Sequence, residues 1–141
     1  MYDFGKRTMT RIFDLLHIPC GVIASVDRGL YSHVGILAEP VPGQPRTVVS
    51  LNPGAPSTQL REETLPEFGR ARVVNLLPPL SALSASFVLG RARSGQHPQY
   101  SWTEFNCEHF LCFAFGVPLE SPQLRRIATI SALAFLALKA A

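Results

Sequence analysis

The sequence predicts an α+β domain in which an antiparallel sheet packs against a helix from the C-terminal half. Three observations support this class. Strand-like runs with turn signals fill the first half of the chain, helical spacing of apolar residues follows residue 80, and a strong helix start lies at Asn106. The 141 residues suffice for one domain that buries about two-thirds of its unfolded surface.

Four runs have strand character, and the first two are separated by Asp27-Arg28-Gly29, which is typical of a hairpin turn. In the second run, alternation places His33 on the face of Tyr31 and opposite Val34 and Ile36. The polar stretch 55–69 is expected to form a loop. The four predicted strands are residues 22–26, 30–37, 46–51 and 72–76.

Helical spacing dominates the rest of the chain. Residues 80–91 follow a helical period that ends at Gly95. Asn106 is a favoured N-cap, and Gly116 with Pro118 supplies a stop for the second helix. Cys107 would then lie in the first turn, where free backbone N–H groups and the helix dipole stabilise a thiolate. The sequence therefore predicts a thiol that ionises readily.

Composition narrows the classes of function. Hydrophobic residues make up 47% and charged residues 16%, with a net charge of +3, and the basic residues are scattered, so we expect no nucleic-acid partner. The three cysteines lack disulfide-type spacing, which favours free thiols in a reducing, cytoplasmic location. His17 and Cys20 are spaced like metal ligands, but no second pair accompanies them. We expect neither a metal nor a cofactor.

The two ends of the chain are predicted to form separate segments. Residues 1–18 are expected to form a helical arm, and residues 127–141 an apolar helix. The apolar run 127–138 would rise only about 18 Å, against a hydrocarbon core near 30 Å, so it cannot span a bilayer alone. Two alternatives stay open: a buried helix, or peripheral contact with a membrane surface, which Arg125 and Arg126 would assist.

The segment Asn106-Cys107-Glu108-His109-Phe110 resembles the signature of the lecithin:retinol acyltransferase-like family, whose members are related to NlpC-type thiol peptidases. Tyr31-Ser32-His33 resembles the family's first histidine segment, and Val48-Val49-Ser50-Leu51 matches the strand that follows it. Glu120-Ser121-Pro122-Gln123 is also similar to bacterial members. The resemblance covers residues 19–126, which would form the catalytic domain.

The resemblance implies a circularly permuted papain-like fold, in which the antiparallel sheet packs against the helix that carries the nucleophile. It makes Cys107 the nucleophile and His33 the general base of a thiol-dependent acyltransferase or phospholipase, with an acyl-cysteine intermediate. Its substrate would be a phospholipid or another acyl donor. Arg28 and Tyr31 are candidate substrate-binding residues. Asn106, the predicted N-cap of the cysteine helix, is the third.

Ser50 departs from the family pattern, which more often has a second histidine there to orient the base. A serine hydroxyl can hold the His33 tautomer, but it brings no charge to stabilise an imidazolium. His109 cannot replace the base, because it lies about 200° around the helix from Cys107. Two alternative functions therefore stay open: a weakly active or inactive lipid- or partner-binding module, and an amide or peptide hydrolase of the NlpC-like type.

Overall fold

The computed structural model describes residues 17–123 and 125. These residues form an α+β fold with one five-stranded antiparallel sheet. In chain order, the elements are β1 (Ile23–Asp27), β2 (Ser32–Leu37), β3 (Thr47–Leu51), α1 (Pro56–Gln59), β4 (Leu60–Thr64), α2 (Leu65–Gly69), β5 (Val74–Leu77), α3 (Ala85–Arg93) and α4 (Cys107–Phe115). The strand order across the sheet is β4-β3-β2-β1-β5.

The predicted α+β class and the four predicted strands are confirmed, with boundaries shifted by one or two residues. The predicted loop over residues 55–69 is wrong, because this stretch contains α1, β4 and α2. β4 is an edge strand, and none of its five residues is fully buried. A strand in that position needs no apolar alternation, which is why its sequence gives no strand signal.

Strand β2 is paired fully on one side and only partly on the other. It pairs with β1 along its whole length, from Ile36 opposite Ile23 to Ser32 opposite Asp27. On the β3 side, pairing is confined to Ile36 opposite Val49 and Leu37 opposite Val48. The start of β2 therefore presents backbone N–H and C=O groups that β3 does not bond, and these groups face the candidate site.

The two faces of the sheet pack against different helices. On one face, Val34 and Ile36 of β2 pack against Phe110 and Ala114 of α4, and α3 completes this cluster; we call it the α4 face. On the other face, Leu37 and its neighbours pack around Phe68 of α2; we call it the Phe68 face. Its buried members are Ala24, Val26, Leu37, Val48 and Phe68. Because side chains alternate along a strand, neighbouring residues of β2 serve different clusters.

Two predicted segments lie largely outside the described residues. These are residues 1–16 of the predicted N-terminal arm and the predicted apolar helix over residues 127–141. Among residues 17–123 and 125, no helix combines the length and apolar character needed to cross a bilayer.

Candidate functional site

Four of the predicted site residues meet at one pocket of about 330 Å³ beside the start of α4: Cys107, Asn106, Arg28 and Tyr31. Arg28 and Tyr31 come from the turn between β1 and β2, and a backbone hydrogen bond of 2.8 Å from Arg28 N to Tyr31 O closes that turn. The hairpin therefore brings a cation and a phenol to the cysteine helix. The other lining residues are Leu30, Tyr100, Trp102 and Gln123.

The start of α4 is fixed by a reciprocal cap. The Asn106 side-chain oxygen accepts hydrogen bonds from Glu108 N at 3.0 Å and His109 N at 3.2 Å. In return, Asn106 N donates to Nδ1 of His109 at 3.1 Å. The predicted N-cap is confirmed, as is the hydrogen-bonding role of His109, whose ring turns back to Asn106. Cys107 is thus the first residue of the helix.

Burial dominates the electrostatics of Cys107, which is only 2% exposed. Burial raises the pKa of its thiol and the charge of Glu108 raises it further, whereas hydrogen bonds from backbone N–H groups, first that of Val34, lower it. The sulfur lies 3.8 Å from the carbonyl oxygen of Ser32, at the incompletely paired start of β2. The prediction that this thiol ionises readily is therefore wrong, because desolvation outweighs the helix start.

His33 and Ser50 lie away from this thiol, on the Phe68 face. The His33 ring packs against Phe68 at a centroid distance of 5.2 Å, and His33 is paired across β1 with Val26 of the same face. Nε2 of His33 is buried and has no hydrogen-bond partner. The predicted pairing of His33 with Cys107 is therefore absent, because alternation along β2 turns the ring away from α4. The predicted orientation of His33 opposite Val34 and Ile36 is confirmed, but Tyr31, which the same alternation placed with His33, lines the Cys107 pocket.

The His33 imidazole is held neutral. Burial, together with the charges of Arg28, Arg70 and Arg61, lowers its pKa to about 4, while a hydrogen bond with Asn52 acts in the opposite direction. Asn52 Nδ2 also donates to Oγ of Ser50 at 3.0 Å. The predicted contact between Ser50 and His33 is therefore replaced by a link through Asn52. Asn52 was missed, although a position two residues after Ser50 places it on the same strand face.

Aromatic side chains form one wall of the pocket, and sequence reasoning missed two of them. The Trp102 ring meets Tyr31 at 5.2 Å and Tyr100 at 5.4 Å between centroids, nearly perpendicular in both cases. Burial raises the pKa of Tyr100. Arg28 also lines the pocket; it donates from Nη2 to Phe68 O at 2.9 Å, and its Nε is buried without a hydrogen-bond partner. The pocket thus combines an apolar wall with one cation.

Gln123, which the sequence singled out only as part of the family-like segment 120–123, bonds the free backbone of β2. Its Oε1 accepts from Ser32 N at 2.6 Å, and its Nε2 donates to Ser32 O at 2.9 Å, so the amide occupies the place of a strand partner. Glu108 accepts from Ser121 Oγ in a short hydrogen bond and from Gln123 N at 3.3 Å. This network joins the segment after α4 to both the helix start and β2, and Gln123 lines the same pocket as Cys107.

The remaining thiols lack these features. All three cysteines are free, as predicted. Cys112 lines a second pocket of about 460 Å³ with mostly apolar neighbours, but it lies in the middle of α4 and its Sγ donates to Glu120 O at 3.6 Å. In the described part of the chain, no group of three or more His, Cys, Asp or Glu side chains could hold a metal ion. Cys107 is therefore the candidate nucleophile with the best-defined surroundings.

No family model, curated protein or solved structure matches the chain. The likeness to the lecithin:retinol acyltransferase-like family accordingly depends on the motifs described above.

Proposed function

We propose that this protein is a thiol-dependent acyltransferase or phospholipase that acts on lipid esters through an acyl-cysteine at Cys107. The observation that carries the proposal is the pocket that Cys107 shares with Arg28, Tyr31 and Asn106. We include in the proposal a circularly permuted papain-like arrangement. Two features support it: the strands precede the cysteine helix in the chain, and α4 packs on an antiparallel sheet.

The reaction divides one acyl transfer into two steps. The Cys107 sulfur attacks the ester carbonyl carbon, a C–S bond forms, the C–O bond to the alcohol breaks, and the thiol proton passes to the departing alcohol oxygen. Water or an amine then attacks the thioester, releases a fatty acid or an amide, and returns a proton to sulfur. The backbone N–H of Cys107 at the start of α4 is suited to hold the oxyanion of each tetrahedral intermediate.

The geometry implies slow turnover. No imidazole is bonded to the Cys107 sulfur, because His33 lies on the other face and His109 caps Asn106. Arg28 is the nearby positive charge, and it interacts electrostatically with Cys107. A cation at this position favours the thiolate without accepting its proton. The small thiolate fraction that results limits the first step.

The test is covalent labelling of the full chain with an ester-type acyl probe, followed by intact-mass and peptide mass spectrometry. We expect a single acyl adduct on Cys107 that forms faster from about pH 6 to about pH 9 as the thiolate fraction rises. The Cys107→Ser variant should lose the adduct. The matched Cys112→Ser variant removes the other buried thiol of α4 and should keep it. No adduct on Cys107 at any pH in this range would reject the proposal.

A lipid-binding module without turnover is the second candidate, and the placement of His33 favours it. In that case the pocket would hold a phospholipid whose ester is never cleaved. Saturable binding of a non-hydrolysable ether phospholipid by the wild-type chain and by Cys107→Ser, with no acyl adduct on the wild type, would select this function over acyl transfer.

A further inference from the structure

Two strongly exposed apolar side chains lie at the Cys107 pocket. Leu30, in the turn between β1 and β2, is 98% exposed, and Trp102 is 52% exposed. Both line the pocket, so their exposed surfaces border its opening. Leu30 makes almost no packing contribution to the fold, and an apolar residue so placed is typical of a contact surface.

Two aromatic neighbours fix the orientation of the exposed Trp102 ring. Its ring lies edge-to-face with Tyr31 and Tyr100, which leaves about half of the residue in solvent. Tryptophan and tyrosine favour the boundary between lipid and water, because each combines an apolar ring with a polar group. The pocket opening therefore carries the side chains that suit an interface.

Basic side chains gather at the same end of the sheet. Arg72 donates from Nη1 to the backbone oxygen of Asp27 at 2.8 Å, which places the loop between α2 and β5 against the hairpin turn. Arg70, on the same loop, is close enough for its charge to act on Arg28. The nearby Asp27 carboxylate is occupied, since it accepts from Gly29 N at 2.8 Å. The Glu63 carboxylate also acts on Arg28, so the three guanidinium groups of Arg28, Arg70 and Arg72 adjoin two carboxylates, and this end keeps a small excess of positive charge.

We propose that this surface, made of Leu30, Trp102, Arg70 and Arg72, docks on a bilayer that contains anionic phospholipid. Leu30 would enter the acyl region, Trp102 would lie at the headgroup level, and the two arginines would meet lipid phosphates. The pocket of Cys107 would then open directly onto the membrane. The docking itself does not require acyl transfer; it rests on the proposed function only for the identity of the molecule that enters the pocket.

The sequence contains one tryptophan, so Trp102 reports on this surface alone. We would titrate the full chain with neutral phosphatidylcholine vesicles and with vesicles that also contain phosphatidylserine, and record Trp102 emission. Matched vesicles with brominated acyl chains would test whether the ring contacts the bilayer. Cys107→Ser, measured in parallel, should dock like the wild type, which separates docking from catalysis.

Three variants make the test specific. Leu30→Ser should weaken binding to anionic vesicles about ten-fold, because a leucine side chain no longer leaves water. Arg70→Gln should weaken it about five-fold, which is the effect of one basic residue near an anionic surface. Val41→Ser is the control: Val41 is 54% exposed, but it lies in the loop after β2, at the opposite end of that strand from Leu30.

The expected result is a blue shift and quenching of Trp102 on anionic vesicles, reduced by Leu30→Ser and Arg70→Gln but not by Val41→Ser. Unchanged Trp102 emission while the chain binds vesicles would overturn the proposal, since another segment, such as residues 127–138, would then hold the membrane. An equal shift on neutral and anionic vesicles would also overturn it, because the arginines would then contribute nothing.

Discussion

The two faces of the sheet carry the two residues that the predicted thiol mechanism paired, and the faces differ in their packing. On the α4 face, Cys107 borders an open pocket with a cation and aromatic rings. On the Phe68 face, His33 is 2% exposed and packed on a phenylalanine. Both faces carry a buried apolar cluster, but on the α4 face a pocket also opens beside the start of the helix. The contrast indicates that a histidine and a cysteine in a family-like order need not share a site.

The largest effect that can test this contrast is on stability. Phe68 is fully buried under His33, so Phe68→Ala should lower the free energy of unfolding by about 3–5 kcal/mol through lost burial and a new cavity. The matched control is Phe87→Ala on α3, because Phe87 is 54% exposed and should change stability little. Denaturant unfolding of the two variants and the wild type measures both effects. Equal losses would mean that the Phe68 face is not a closed core.

A smaller effect is expected from pH. The folded pKa of His33, about 4, lies below the ordinary value of 6.5, so the unfolded chain binds the proton first. The stabilisation from the neutral ring is complete above pH 6.5 and is lost as the pH falls toward 4. Between about pH 6.5 and about pH 5, His33 should cost about 2 kcal/mol of stability.

Unfolding free energies of the wild type and of His33→Gln, measured across this range, check that expectation. The variant should lose less stability on acidification, and the difference in slope isolates His33 from other groups. His17→Gln, which removes an exposed imidazole, serves as the matched control. Parallel curves for the wild type and His33→Gln would contradict a buried neutral imidazole.

The smallest expected effect is on Cys107 reactivity. Because His33 faces away, His33→Gln should leave the pH profile of iodoacetamide alkylation at Cys107 within about two-fold of the wild type. Both profiles should rise about ten-fold per pH unit without a plateau near neutrality, since burial raises the thiol pKa. Peptide-resolved mass spectrometry separates Cys107 from Cys20 and Cys112. A large fall in rate for His33→Gln would place the ring at the thiol after all.

The parts of the fold that were predictable from sequence carry local signals. Asn106 and Gly116 define both ends of α4, with Gly116 in the left-handed conformation at φ 66°. Asp27-Arg28-Gly29 produces the hairpin that brings Arg28 and Tyr31 to the cysteine. β4 gave no signal, because an edge strand with charged residues on both sides needs no buried face.

The site was less predictable, because it depends on burial and on contacts between residues that are distant in the sequence. A helix start lowers a thiol pKa and burial raises it, and the sequence reports the first but not the second. The alternation of β2 already indicated that His33 lies opposite Val34 and Ile36, but the family-like order of motifs argued for a catalytic pair. The contact of Gln123 could not be predicted for another reason: its partner, Ser32, lies 91 residues away.

Gln123 holds the segment after α4 against the start of β2. Its side-chain amide hydrogen-bonds both the N–H and the C=O of Ser32, which β3 does not pair. Cutting the polypeptide ahead of this residue would uncover a short sheet edge beside the Cys107 sulfur, where a foreign extended peptide could add on. Any shortened version of the protein used for crystallisation or tagging should therefore retain residue 123.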